Sequence, residues 1–313
     1  MNASMYFNCD DENFDEEAYL EMYPDVAAAV HEKQFESGKQ HYLLFGMSEG
    51  RIIRLSKRFF AAKQRKLKIL DSLVDKTLDY TVNEQNYNFL TPEICADFNI
   101  PDFHVESSNP YDDVVKNIIN SCNSGIVLDC GAGKRPVYYE NVVNFDIAAY
   151  DSTDVIGVGE KLPFVDNAFD AIISIAVLEH VKDPFRCARE IVRVLKHGGI
   201  LFCCVPFLQP FHGCPHHYYN MTKQGLYNLF CDYLRIDKQE VVPGTSPIFT
   251  LSWFLKSWIE GLSGNTKENF MNMQIRELLG NPFDYLACDF TKELSEGKNF
   301  ELASCTILHA VKE

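Results

Sequence analysis

From about residue 108 onward, short apolar runs alternate with stretches of helical periodicity, the pattern of a parallel sheet covered on both faces. The runs at 126–129, 142–146, 154–157, 170–175, 200–205, 234–242 and 302–311 read as strands. Between two of them, 184–196 reads as a helix. Asp183 sits at its cap and Pro184 in its first turn, while Phe185, Ala188, Ile191, Val192 and Leu195 form one apolar stripe. Gly198 and Gly199 end it. The first two strands are separated by only about a dozen residues, close to the minimum for a parallel crossover. A short turn around Arg135-Pro136 is therefore expected where a helix would usually stand.

Upstream, residues 14–51 carry helical periodicity on a small scale. Pro24 and Asp25 suit a helix start, Val26, Ala27 and Val30 share a face, and Ser37 caps a second helix through Phe45 that Gly46 stops. Such a module buries little surface alone. Residues 51–68 are basic without an acid among them: Arg51, Arg54, Lys57, Arg58, Lys63, Arg65, Lys66 and Lys68. Leu55, Phe59, Phe60, Leu67, Ile69 and Leu70 interleave at helical spacing. A basic amphipathic helix over 51–70 fits an anionic membrane surface or an acidic partner. It equally fits a wet helix packed on its own acidic protein, the reading favoured here. Residues 249–297, with Trp253, Phe254, Leu255, Trp258 and Ile259, read as a helical insertion that fits a substrate lid, added core or an oligomer face. The organisation expected is 1–54 helical module, 55–107 basic lead-in, and 108–313 catalytic domain.

The strand Ile126-Val127-Leu128-Asp129 runs into Cys130-Gly131-Ala132-Gly133. The glycines let the backbone turn and approach a ligand. Phosphates bind at such turns through helix-start amides, but Asp129 would repel them and attract an ammonium or sulfonium instead. S-adenosylmethionine is a ligand of that kind. Asp146 ends the second strand, where an acid commonly holds ribose hydroxyls.

The formal net charge of −15 argues against a broad nucleic-acid surface. The eleven cysteines are scattered, with no C-x-x-C pair, and the acidic N-terminus lacks the charge pattern of a secretory signal. Reduced thiols in a cytoplasm are expected. No apolar stretch approaches the ~20 residues that span a bilayer.

The order of these features resembles the class I S-adenosylmethionine-dependent methyltransferases, within them the type 11-like group with a leucine-glutamate-histidine turn, here Leu178-Glu179-His180. Gly131-Ala132-Gly133-Lys134-Arg135-Pro136, Val205-Pro206-Phe207 and His212-Gly213-Cys214-Pro215 strengthen the likeness, which covers about 108–246 and more loosely 300–313. It implies a Rossmann-like α/β fold: a mostly parallel sheet of seven strands, the last antiparallel. It also implies that Asp129, Gly131, Ala132 and Gly133 hold the methionine amino group and that Asp146 binds the ribose. Ile147, Gly159, Glu160 and Leu162 would border the adenine, and Ala176 would lie beneath the methionine portion. The string Tyr19-Leu20, Pro24-Asp25-Val26-Ala27, His41-Tyr42, Phe45-Gly46, Glu49-Gly50-Arg51 resembles a small helical module attached to bacterial glycan-building proteins.

The chain departs from that group in three places. Arg135 replaces the third glycine. Val158 stands where an aspartate usually serves the adenine, leaving Glu160 or the backbone to do so. His217 and Asn220 follow the His-Gly-x-Pro loop in place of aspartate and arginine.

Methyl transfer is a displacement that needs alignment more than acid–base power. For a hydroxyl acceptor, His180 and His212 are the candidate bases, and the alternative for His180, the reading favoured here, is a structural residue closing the turn after the fourth strand. His212, Cys214, His216 and His217 are too tightly spaced for an ordinary zinc site, so no metal is expected. The sequence thus supports a methyltransferase acting on a small molecule or glycan, in cell-surface polysaccharide assembly if the N-terminal likeness carries. The alternative is a non-catalytic S-adenosylmethionine-binding protein of the same fold. Asp129→Ala is expected to remove most cofactor affinity and leave the fold intact.

Overall fold

The computed structural model describes residues 5–6, 14–49, 51, 57–101, 110–135, 137–213 and 215–304. The chain divides into two compact units, Met1–Val205 and Pro206–Glu313.

In the first unit, β1 (Met5–Tyr6) pairs antiparallel with β5 (Val137–Tyr138). The main sheet has seven strands: β2 (Thr81–Val82), β3 (Tyr87–Asn88), β4 (Val127–Cys130), β6 (Val142–Asp146), β7 (Val155–Ile156), β8 (Phe169–Ile175) and β9 (Leu195–Cys204). Their order is β2-β3-β7-β6-β4-β8-β9, parallel throughout except for the β2/β3 hairpin. The central strands are buried along most of their length, which is why they read as largely apolar runs. The mostly parallel seven-stranded sheet is as expected, and its antiparallel pair lies at the N-terminal edge. The strand expected over 234–242 does not form. Arg235 pairs with Asp237 and Lys238 with Glu240 on exposed chain there, and Val241 is exposed. Of the strand expected over 302–311, Leu302 ends a helix and 305–311 lie outside the described residues.

Between β4 and β6 no helix forms among the described residues, only the two-residue β5. Helix α4 (Lys57–Leu70) comes from upstream to cover this connection. Phe59 and Ala62 pack on Tyr138, and Lys66 Nζ donates to the carbonyl of Val142 at 2.6 Å. The helix presents only part of the face expected of it, with Phe59, Leu67 and Leu70 buried. Phe60 and Ile69 are exposed, whereas Lys63 and Lys66 are buried. Lys66 pairs with Asp154 at 2.8 Å and lies 3.4 Å from the Tyr138 ring centroid, Lys63 reaches the carbonyls of Asp151 and Thr153, and Arg65 pairs with Glu140. Arg51 pairs with Asp25 and Glu49. These four cations serve this chain's own acids and carbonyls; Lys68 is exposed, and Arg54 lies outside the described residues.

The N-terminal module comprises α1 (Glu16–Met22), α2 (Pro24–His31), α3 (Gly38–His41) and a wider turn over Tyr42–Gly46. Glu16 accepts from the amides of Gly38 and Lys39, and the buried Tyr19 hydroxyl meets His41 Nδ1 at 3.2 Å. Helix α5 (Pro92–Phe98) follows the hairpin. Helix α6 (Asp113–Ser121) sets Val115 and Ile119 against Val127, Val142, Ala171 and Ile173. Helix α7 (Pro184–Val194), capped by Asp183 as expected, buries Ala188, Ile191 and Val194. It gives way directly to β9 at Leu195. Lys196–Gly199 then bulge from the β8/β9 ladder with Gly198 at φ +77°.

The second unit is helical among its described residues: α8 (Lys223–Phe230), α9 (Pro247–Glu260), α10 (Gly264–Met271), α11 (Pro282–Tyr285), α12 (Asp289–Lys292) and α13 (Glu296–Leu302). Within the expected insertion, Leu262, Phe270 and Leu294 form a small core with Trp258 packed against it. The indole Nε1 donates to the carbonyl of Phe290 at 2.9 Å.

Candidate functional site

The expected cofactor residues of the first unit gather at the carboxyl ends of β4, β6, β7 and β8, the edge where open parallel sheets bind ligands. The turn after β4 is built by two left-handed glycines, Gly131 at φ +83° and Gly133 at φ +63°. Both Gly131 and Ala132 donate their amides to the carbonyl of Phe145 at 2.9 Å. Gly133 donates to Asp146 Oδ2 at 2.7 Å, and Ala148 to Asp146 Oδ1 at 2.9 Å. Asp146 retains some surface exposure, yet burial still pushes its carboxyl up to about 6. Ile147 follows it, half-buried.

Asp129, next to the last residue of β4, is fully buried. Its Oδ2 accepts from Arg135 Nε at 2.7 Å and from the Tyr111 hydroxyl, while Arg135 Nη2 lies 2.7 Å away. The guanidinium lies 4.2 Å from the Tyr111 ring centroid. Asp129 Oδ1 is buried with no hydrogen-bond partner. The acid at the strand mouth is therefore not the bare charge the sequence implied, because Arg135 already neutralises it.

Past β7, Gly159–Lys161 form a tight turn. A Cβ at Gly159 would stand 2.7 Å from Cys187 Sγ, so this turn and α7 pack without room for a side chain. Glu160 is buried, and its Oε1 accepts from the amides of Lys182 and Asp183 at 2.8 and 3.2 Å. That oxygen anchors the entrance of α7. Leu162 is buried, its amide donating to Glu190 Oε2 at 3.0 Å.

After β8, Ala176 adopts φ +55°, unusual for a residue with a side chain, and its amide donates to the carbonyl of Cys204 at 2.9 Å. Such local strain clusters at ligand sites. The turn closes with His180 N–H donating to the Val177 carbonyl at 2.8 Å. His180 Nε2 lies 3.6 Å from Glu179 Oε1. Glu179 is fully buried with no hydrogen-bond partner on either oxygen, and burial pushes its carboxyl up to about 8.

His212 belongs to the second unit. Its amide donates to His217 Nδ1 at 3.0 Å, its Nδ1 lies 2.9 Å from the Pro210 carbonyl, and its ring is 5.1 Å from that of Trp253. His217 Nε2 meets Asn220 Oδ1 at 3.0 Å, and burial lowers the His217 pKa. The ring of His216 neighbours Tyr218. Cys214 lies outside the described residues.

Tyr111 and Glu179 were not among the site residues expected from the sequence, and Arg135 was expected as a replaced glycine in the short turn, not as the partner of Asp129. Nothing in the sequence places Tyr111 beside Asp129, since eighteen residues separate them and their meeting is tertiary. Glu179 stood in the leucine-glutamate-histidine motif, between Leu178 and His180, and nothing in that setting alone marks the acid as buried.

Residues 128–203 match the family model described as a methyltransferase domain. An uncharacterized methyltransferase of Mycobacterium sp. (strain JLS) is 43% identical over 56 residues, 18% of this chain and 22% of that protein. A demethylmenaquinone methyltransferase of Renibacterium salmoninarum is 34% identical over 95 residues, 30% of this chain and 34% of that protein. The chain thus spans about a third or less of these curated relatives' length. Among solved structures, phosphoethanolamine N-methyltransferase 2 of Haemonchus contortus, in complex with S-adenosyl-L-methionine, aligns with a TM-score of 0.29 at 15% identity, covering 63% of this chain and 49% of that one. No helix among the described residues is long and apolar enough to cross a membrane.

Proposed function

We propose that this chain, built on a class I Rossmann-like methyltransferase sheet, transfers a methyl group from S-adenosylmethionine to a small-molecule acceptor. Residues 128–203 fall within the methyltransferase-domain family, and S-adenosylmethionine is the cofactor that this fold and family use. One observation carries the reading at the level of residues. Two carboxylates, Asp129 and Asp146, flank the glycine turn, and no helix N-terminus follows it among the described residues of 131–141. A pyrophosphate needs that helix start, and the Asp146 carboxylate beside the turn disfavours it. A nucleoside with ribose hydroxyls for Asp146 and an amino-acid end whose ammonium faces Asp129 suits both.

In this reading Asp146 accepts the ribose hydroxyls, the 131–133 backbone and Asp129 face the amino-acid end, Ile147, Gly159, Glu160 and Leu162 border the adenine, and Ala176 lies beneath the methionine portion. The acceptor's lone pair attacks the methyl carbon, the carbon–sulfur bond breaks, and its electrons remain on sulfur. A hydroxyl acceptor gives its proton to an imidazole, that of His180. A glycan acceptor is the finer proposal, supported by the likeness of the 14–51 module to modules of glycan-building proteins. Titration calorimetry with S-adenosylhomocysteine tests the cofactor, with saturable binding expected. No heat at millimolar ligand would remove it.

A further inference from the structure

We infer that Arg135 and Tyr111 are positioning residues that hold Asp129 as a charged, one-oxygen acceptor for the ammonium of an α-amino-acid ligand, and so decide between adenosyl ligands with and without that end. The inference rests on the cofactor reading above and assigns two residues it did not include.

A fully buried carboxylate costs several kcal/mol unless it is paired and hydrogen-bonded. Arg135 supplies the counter-ion at 2.7 Å, and the Tyr111 hydroxyl adds a second kind of donor to the same oxygen. The Tyr111 ring lies under the guanidinium at 4.2 Å, so one side chain fixes both members of the pair. All these donors converge on Oδ2. Oδ1 is left as a buried acceptor with no partner, a state that native interiors rarely leave unanswered.

The position of the arginine matters. It stands six residues after Asp129 within the same turn, and its own amide donates to Ser152 Oγ at 3.0 Å, so the turn is tied at both ends. Asp129 and Arg135 together carry no net charge. A bare organic cation gains little from a neutral pair. An amino-acid end, itself a zwitterion of no net charge, matches it, its ammonium meeting Oδ1.

Calorimetry on the full chain with two ligands tests this. S-adenosylhomocysteine has the amino-acid end; 5′-methylthioadenosine has the same adenine, ribose and thioether without it. The unaltered chain should prefer the first. Arg135→Met should weaken S-adenosylhomocysteine by about tenfold or more, the scale of one charge-assisted hydrogen bond, and leave 5′-methylthioadenosine within about twofold. Arg135→Lys should restore part of the preference. Tyr111→Phe, which keeps the ring, gives a second route if Arg135→Met does not fold, and should narrow the preference less. Equal weakening of both ligands, or an unmoved ratio in Arg135→Lys and Tyr111→Phe, would overturn the inference and leave the cofactor reading standing. Failure of the unaltered chain to bind S-adenosylhomocysteine would overturn both.

Discussion

The amide of Gly133 donates to the carboxylate of Asp146 at 2.7 Å, joining the turn after one strand to the end of its neighbour. The contact orders the glycine turn before any ligand arrives. It also gives the site a pH dependence. Burial raises the Asp146 carboxyl to about 6, and ribose hydroxyls donate best to the ionised form. Affinity for S-adenosylhomocysteine should therefore be level above pH ~7 and fall toward about tenfold per unit below pH 6. Asp146→Asn should bind more weakly and show no such limb. Calorimetry between pH 5 and 8 reads both.

Glu179 makes a separate prediction about stability. Its folded carboxyl is raised to about 8 by burial, against 4.5 ordinarily. A raised acid binds its proton more tightly folded than unfolded, so its contribution is fully present below the ordinary value and is lost as pH rises through about 8. The unaltered chain should lose denaturant resistance between pH 5 and 8 relative to Glu179→Gln, and the two curves should converge near pH 4.5. Parallel urea midpoints across that range would refute the assignment.

Gly131 admits no side chain. Its φ is +83°, and a Cβ would lie 2.3 Å from Val177 Cγ2. Gly131→Ala should lower stability by about 1–3 kcal/mol, from strained backbone and overpacking together, and remove measurable S-adenosylhomocysteine binding. Adding Val177→Ala should recover part of the stability, since it relieves the clash but not the dihedral. Thermal melts and calorimetry on the pair separate these terms.

Much of this edge was legible because its signals are local. The apolar runs of β4, β6 and β8, the glycines of the turn and the Asp183-Pro184 helix start are each written within a few neighbouring residues. What failed was tertiary. The hairpin Thr81–Asn88 enters the sheet at its edge on two short strands, one exposed on both faces, so its periodicity is too brief to see. The missing helix after β4 was legible from loop length, but not that α4 would cover the loop with two lysines inward. Asp129 was legible as an acid in the right place and illegible as half of an ion pair. The expectation that Asp129→Ala spares the fold changes accordingly. That variant strands the buried Arg135, at a cost of about 3–5 kcal/mol, and Asp129→Asn is the milder test of the ligand contact.

Lys66 is where the basic segment departs furthest from a surface reading. Its ammonium is buried between Asp154, the Val142 carbonyl and the Tyr138 ring. Lys66→Ala should cost about 3–5 kcal/mol, the penalty of breaking a buried pair from one side. Burial lowers its pKa to about 8 from 10.5. A lysine depressed in this way holds its proton more weakly folded than unfolded. Its unfavourable contribution is therefore full below pH 8 and relieved as pH rises from about 8 toward 10.5. Lys63, lowered by the same burial, adds in the same direction. Urea midpoints at pH 7.5 and 9.5 should show the unaltered chain gaining stability relative to Lys66→Met, which keeps the packing without the titration. A gap that stays constant between the two pH values would mean that the lysine reaches solvent, and the outward reading of the basic helix would return.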